Sequence, residues 1–122
     1  MADTGTAETI EKKLEKWAKS FKVIGHPIRL ASIFILYGSD VLRGKGSLRF
    51  NEIGEILGLP PESNLAHHLK ELIKVGFVEK TPSKDEKGEV FPLYHITERG
   101  KEFLGDFGLL EPLRQYVLSK KT

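Results

Sequence analysis

The 122-residue sequence predicts a mainly α-helical domain with one small β-hairpin. Apolar residues recur at helical spacing along most of the chain. A short helical segment, a tight turn with two prolines and a second helical segment then follow one another near its middle. Two strand-like segments, separated by the turn-forming stretch "PSKDEKGE", come directly afterwards. This order of elements predicts a winged helix-turn-helix with extra N- and C-terminal helices.

The N-terminal half is expected to contain two helices. Residues 1–8 are small and polar and should be flexible, and the first helix should begin near residue 9. Its apolar stripe consists of Ile10, Leu14, Trp17, Ala18 and Phe21. Pro27 is well placed to open a second helix, which is apolar on nearly every side and therefore belongs in the centre of the domain. Gly38 should end this helix.

The predicted helix-turn-helix begins at Asn51, which can cap a short helix that Gly58 closes. Pro60-Pro61 then forms the turn into a second helix over about residues 62–75. "FVEKT" and "VFPLYHI" are the predicted strands, and residues 82–89 form the wing between them. Thr97 is placed to cap the following helix, and Pro112 to start a last short one.

Composition limits the classes of function. Nineteen Lys and Arg residues against 17 Asp and Glu residues give a formal net charge of +2, which neither requires nor excludes a nucleic-acid partner. Because the chain has no cysteine, it can form neither a disulfide nor a thiolate metal site. The absence of a long apolar run predicts a cytoplasmic protein without membrane contact. We expect no cofactor and, with no recognisable nucleophile–base pair, no enzyme activity.

Two adjacent histidines in the second helix of the motif raise the question of a metal site. On a helix they are about 100° apart, so they cannot easily bind one ion, and the four histidines of the chain show no metal-ligand spacing. His67 lies opposite the apolar face, where it either contacts DNA or is solvated. His68 lies at the margin of the apolar face, where a hydrogen bond to the backbone is expected. Arg29, polar on a buried helix, should reach a carboxylate or a carbonyl.

Four segments resemble the ArsR-like winged-helix transcriptional regulators: "GHPIRLASIFIL", "FNEIGEILGLP", "NLAHHLKELIKVGFVEK" and "PLYHITERGKEFL". The resemblance runs from about Phe21 to Leu104. It implies a regulator, most simply a repressor, that binds double-stranded DNA. The family's cysteine pairs are missing, and so are histidines from Thr97 to Thr122, which together implies a regulator without the metal sensor.

The resemblance and the helical wheel together select ten candidate DNA-binding residues. They comprise five residues of the recognition helix, three of the connector before the motif and two of the wing, namely Ser63, Asn64, His67, Lys70, Lys74, Arg43, Lys45, Arg49, Lys84 and Lys87. For Ser63 and Asn64, helix capping is an equal alternative. Carboxylates at positions 62, 71, 85, 86 and 89 weaken the positive field of this surface.

The resemblance also implies a homodimer built from the terminal helices. Residues 9–108 would form the winged helix-turn-helix domain, and residues 109–122 a C-terminal helix for dimerisation. The predicted interface residues are Ile10, Leu14, Trp17, Phe21, Leu110, Leu113, Tyr116 and Val117. The alternative is that these stripes simply cover the core. A rival function is that of a winged-helix module that binds another protein, which the near-neutral charge and the acidic wing favour.

Overall fold

The computed structural model describes residues 3–41, 44, 46–106, 108, 111–112, 115 and 118–119, of which 3–9 and 41 are described by their backbone alone. Its continuous elements are five α-helices, one 3₁₀ turn and three strands, and residues 111–112, 115 and 118–119 are helical as well. The helices are α1 (Asp3–Ile24), α2 (Pro27–Val41), α3 (Phe50–Leu57), α4 (Leu65–Lys74) and α5 (Glu98–Asp106). The strands are β1 (Leu48–Arg49), β2 (Val78–Lys84) and β3 (Val90–Ile96). This architecture confirms the predicted winged helix-turn-helix.

The three strands form one antiparallel sheet in the order β1-β3-β2. Strands β2 and β3 form the hairpin, in register from Val78 opposite Ile96 to Lys84 opposite Val90. The two-residue strand β1 pairs with the other edge of β3, where Leu48 lies opposite Tyr94. The chain entering the helix-turn-helix is therefore attached directly to the base of the wing.

Helix α2 lies at the centre of the core, as its apolar sequence predicts. Ile33 and Leu36 are fully buried, and the Ser32 hydroxyl is satisfied by donating to the carbonyl oxygen of Ile28 at 2.7 Å. Each fully buried aliphatic side chain contributes about 1.5–3 kcal/mol. The other elements add fully buried side chains to the same cluster: Leu48, Ile53, Leu69, Leu72, Phe77, Val78 and Leu104.

Thr97 ties α5 to the end of α4, as its predicted capping role requires. Its hydroxyl accepts a hydrogen bond from the Gly100 N–H at 3.0 Å and donates one to the Gly76 carbonyl oxygen at 2.6 Å. Gly100 permits the close approach, because a Cβ there would lie 2.7 Å from the carbonyl oxygen of Phe77. The wing and the helix-turn-helix are thus fixed to each other through α5.

Apart from the bounds of α4, three helix boundaries differ from those predicted. Helix α1 begins at Asp3 rather than near residue 9. Helix α2 continues through Gly38 to Val41, because a buried, well-packed site tolerates a helical glycine that a single-sequence pattern takes as a stop. Helix α3 begins at Phe50 rather than after Asn51, since the Glu52 carboxylate accepts the Arg49 backbone N–H at 2.8 Å and so fixes its first turn.

Some predicted features fall outside the described residues. These are Arg43, Lys45, Phe107, Leu110, Leu113, Tyr116 and Val117. Gly108 is described and has a left-handed backbone with φ of 65°, a conformation suited to a helix end. Among the described helices, none combines the length and apolarity needed to cross a bilayer.

Candidate nucleic-acid interface

The turn of the helix-turn-helix is built from two left-handed residues around a 3₁₀ turn. Gly58 has φ of 65° and closes α3, its N–H bonding the carbonyl oxygen of Glu55 at 3.1 Å. The 3₁₀ turn Pro61–Ser63 follows, and Asn64 then adopts φ of 62° and ψ of 39° immediately before α4. Asparagine is one of the few residues with a side chain that tolerate this region.

The recognition helix is consequently shorter than the predicted 62–75. Ser63 belongs to the 3₁₀ turn and Asn64 occupies the N-cap position, so neither lies on the helical wheel. Asn64 makes no side-chain capping hydrogen bond, and its left-handed backbone differs from the extended one of an ordinary N-cap. The capping alternative is therefore not realised for Asn64, whose exposed amide stays available to an external partner.

Helix α4 separates a buried face from an outward face. Leu65, His68, Leu69 and Leu72 are buried against the core. The exposed residues of the helix lie on the other side and are Ala66, His67, Lys70 and Lys74. Of these, the histidine and the two lysines can donate hydrogen bonds from their side chains. The outward position predicted for His67 and for both lysines is thus observed, while their contact with DNA stays a prediction.

The two lysines of α4 differ in their electrostatic surroundings. The Lys74 ammonium forms an ion pair with the Glu71 carboxylate at 3.0 Å, one helical turn away. A hydrogen bond from Lys74 lowers the pKa of Glu71, so this carboxylate stays ionised and partly neutralises its partner. Lys70 is exposed in the middle of the outward face. The positive charge of Lys70 is therefore less neutralised than that of Lys74.

His68 lies behind this face in a cluster that joins three segments. Its side chain is 7% exposed, and its Nδ1 accepts a hydrogen bond from Arg29 Nε at 3.0 Å. The backbone partner predicted for His68 is thus wrong, because the partly buried guanidinium of Arg29 is its hydrogen-bond partner instead. Arg29 also donates to the carbonyl oxygen of Val23 at 3.1 Å, which confirms the carbonyl expected for it. The His26 ring lies 4.1 Å from that of His68.

Burial lowers the pKa of His68, and the nearby His26, Arg29 and His67 lower it further, against an opposing effect of Glu71. His68 therefore acts as a neutral acceptor for Arg29. His26 is engaged as well, since its Nδ1 accepts the Ile28 N–H at 3.1 Å at the start of α2. Within the described part of the chain, no group of three His, Asp or Glu side chains could hold a metal ion.

The wing tip is held by a carboxylate rather than extended by basic residues. Asp85 Oδ1 accepts the backbone N–H groups of both Lys87 and Glu89 at 2.9 Å. Lys84 and Lys87 are exposed, and so is Glu89. The tip thus presents mixed charges, which matches the weak basic character expected from the sequence.

Arg49 is the described member of the basic connector, and its environment could not be predicted. It is exposed, and its guanidinium carbon lies 3.7 Å from the centroid of the Phe91 ring on β3. Neither Phe91 nor Ala66 was selected from the sequence. Strand alternation alone does not reveal that Phe91 lies beside Arg49, because that contact depends on the pairing of β1 with β3.

The described part of the predicted dimer interface is largely uncovered. Ile10 is 52% exposed, Leu14 55% and Phe21 45%, whereas Trp17 is partly buried against the core. Phe21 also contacts Phe103 of α5 edge-on, with ring centroids 5.5 Å apart. Packing against the core therefore accounts for the apolar residue at position 17, but it does not account for the exposed apolar side chains of Ile10 and Leu14.

Comparison with known proteins places these features in a family. Residues 34–121 match the family model described as HxlR-like helix-turn-helix. An uncharacterized protein of Methanocaldococcus jannaschii is 35% identical over 80 residues, which cover 66% of this chain and 78% of that protein. The ArsR-like resemblance thus identified the right kind of motif, but the family model that matches is HxlR-like.

Solved structures agree with this result. The reduced form of the transcriptional regulator YodB from B. subtilis is 26% identical and superposes with a TM-score of 0.58, over 76% of this chain and 82% of YodB. A transcriptional regulator homologue from Pyrococcus horikoshii is 24% identical with a TM-score of 0.55, covering 84% of this chain and 97% of that one; at this identity it supports the fold alone. The chain belongs to the HxlR-like helix-turn-helix family.

Proposed function

We propose that this protein is a sequence-specific transcriptional regulator that binds double-stranded DNA as a homodimer and acts as a repressor. One observation carries the proposal: the face of α4 opposite the core presents His67, Lys70 and Lys74, and the exposed Asn64 directly precedes this helix. A helix-turn-helix followed by a wing inserts this helix in the major groove. The HxlR-like family and the neighbouring transcriptional regulator YodB support the same function.

The residues of the outward face suit different parts of the DNA. The Asn64 amide, at the N-terminal end of α4, can form two hydrogen bonds with an adenine edge. His67 follows one turn further and can donate to a base or a phosphate. Lys70 and Lys74 lie towards the C-terminal end, where the helix leaves the groove and meets the backbone. Base recognition would therefore depend on Asn64 and His67, and affinity on the lysines.

A dimer explains the exposed stripe of α1. Ile10 and Leu14 are each more than half exposed, and a second copy would bury them in an interface of two-fold symmetry. Two recognition helices would then lie about 34 Å apart, which is one turn of DNA. Repression follows most directly from such binding, because a dimer seated over a promoter blocks access of the polymerase.

Selection from a random-sequence duplex library tests this proposal. We expect enrichment of an inverted repeat with half-site centres about 10 bp apart. The His67→Ala variant should lose discrimination at one position of each half-site. Lys70→Ala should weaken binding to all sequences alike, whereas the matched control Lys16→Ala, which removes an exposed lysine from α1, should bind as the wild type does.

A protein-binding module is the rival function, and the mixed charges of the wing tip favour it. If the protein is such a module, selection from the duplex library should enrich no DNA sequence. Lys70→Ala and Lys16→Ala would then behave alike in every DNA-binding assay. That outcome would contradict the proposed regulator.

A further inference from the structure

A stacked pair joins the helix-turn-helix to the wing. Arg49 ends β1 and pairs with Leu93 of β3, and Phe91 lies two residues away along β3. Residues two apart on a strand share one face of the sheet. The guanidinium carbon of Arg49 thus lies over the Phe91 ring, 3.7 Å from its centroid. This distance is well within the range of a cation–π contact.

The stacking fixes the arginine without consuming its hydrogen-bonding capacity. The ring covers one flat face of the guanidinium, and the N–H groups at its edge lie in the plane and stay directed outward. Within residues 46–106, no carboxylate forms an ion pair with this guanidinium. The backbone at Arg49 is also anchored, because its N–H donates to Glu52 at 2.8 Å. A planar cation held in place with free donors suits a phosphate.

The position of the pair places it beside a DNA backbone if α4 occupies the major groove. Arg49 directly precedes α3, the first helix of the motif, which crosses the backbone in this mode of binding. Phe91 lies opposite Ser83, near the turn end of the hairpin, and would face the same DNA backbone. The wing carboxylates Asp85, Glu86 and Glu89 line the same surface groove as Arg49. Among the described residues none of them forms an ion pair with its guanidinium, which is held by the uncharged Phe91 ring.

We propose that Phe91 is a positioning residue that holds the Arg49 guanidinium ready for a phosphate contact at the junction of the helix-turn-helix and the wing. This inference rests on the proposed function and adds a residue to it. Because Arg49 is already restricted by the ring, less side-chain freedom is lost on binding. Phe91 would thus increase affinity without touching the DNA.

A double-mutant cycle tests the inference on a labelled duplex of about three helical turns that carries the selected inverted repeat. Arg49→Ala should raise Kd about 5- to 10-fold and reduce the steepness of the salt dependence by about one phosphate contact per protomer. Phe91→Ala should raise Kd about 2- to 5-fold, with an unchanged salt dependence, because the charge is still present. In the Arg49→Ala background, Phe91→Ala should have no further effect.

Two further variants distinguish the positioning of Arg49 by Phe91 from a general loss of wing structure. Arg49→Lys keeps the charge but not the planar stack, so it should resemble Phe91→Ala. Val90→Ala alters the neighbouring, 65% exposed residue and should bind as the wild type does. Thermal unfolding of each variant checks that the hairpin is intact.

Equal effects of Phe91→Ala in the presence and absence of Arg49 would overturn the inference, as would no effect in either background. These results would leave the proposed function in place, because the wild type would still bind the duplex. Failure of the wild type to bind any duplex would instead overturn the proposed function, and this inference with it.

Discussion

Two neighbouring histidines show how position on a helix decides the chemistry of a side chain. His67 faces outward on α4, whereas His68 is buried and accepts a hydrogen bond from Arg29. The helical wheel predicted this division correctly. It could not predict Arg29 as the partner, because that contact joins residues 39 positions apart in the chain.

The buried His68 should make folding stability depend on pH. Its pKa is lowered in the folded protein by burial and by the neighbouring His26 and Arg29. The unfolded chain therefore binds this proton more readily, with a pKa of about 6.5. The contribution of neutral His68 to the free energy of unfolding is fully present above about pH 6.5, and it is lost as the pH falls through the folded-state pKa.

Urea unfolding at a series of pH values from about 8 to 5 measures this effect. The free energy of unfolding of the wild type should decrease across the series, and that of His68→Gln should decrease less. The control His95→Gln removes a partly exposed histidine that pairs with Glu79 at 2.9 Å across strands β2 and β3. Equal pH dependence of the wild type and His68→Gln would contradict the role assigned to His68.

At the scale of elements, the sequence predicted the order of helices and strands but not all of their ends. Periodicity identified α2 and α4 because each has a distinct apolar pattern. The start of α4 was misplaced because Pro61 begins a 3₁₀ turn and Asn64 is left-handed, and neither is visible in a hydrophobic pattern. Short polar turns are set by backbone geometry that only the packed structure determines.

The left-handed backbone of Asn64 favours glycine over alanine at this position. At φ of 62°, a Cβ without a polar group costs about 1–2 kcal/mol, whereas glycine adopts this region freely. Asn64→Gly should therefore be more stable than Asn64→Ala by about 1 kcal/mol, although alanine is the better helix former. Chemical denaturation compares the two variants; greater stability of the alanine variant would contradict the left-handed conformation.

The capping of α5 gives a second prediction at this scale. Thr97→Ala removes both the bond from the Gly100 N–H and the bond to the Gly76 carbonyl. It should lower the free energy of unfolding by about 1–2 kcal/mol. Thr97→Ser keeps the hydroxyl and should lose little of that stability. Equal losses in the two variants would show that the methyl group, and not the hydroxyl, stabilises this junction.

For the whole molecule, the decisive feature is the exposed stripe of α1. The combined change Ile10→Lys, Leu14→Lys places two cations in the proposed interface and should convert a dimer to a monomer. Light scattering coupled to size-exclusion chromatography measures the mass directly. Binding to the inverted repeat should weaken in parallel, because two half-sites then bind independently.

Ile56→Lys is the matched control, since Ile56 is 41% exposed on α3, away from α1 in the chain. It should leave the mass unchanged. A wild type that is already monomeric, or a double variant that stays dimeric, would contradict an interface built on α1. The structure confirms the helix that carries this stripe and shows that Ile10 and Leu14 are exposed, while their place in a dimer interface stays a prediction.

The measurement that tests the central claim most directly is the salt dependence of binding to the selected inverted repeat. If a dimer neutralises phosphates with its exposed lysines and Arg49, the logarithm of the association constant should fall linearly with the logarithm of salt concentration, with a slope of about −4 or steeper. A slope near zero, or equal affinity for the inverted repeat and an unrelated duplex, would contradict a sequence-specific DNA-binding regulator.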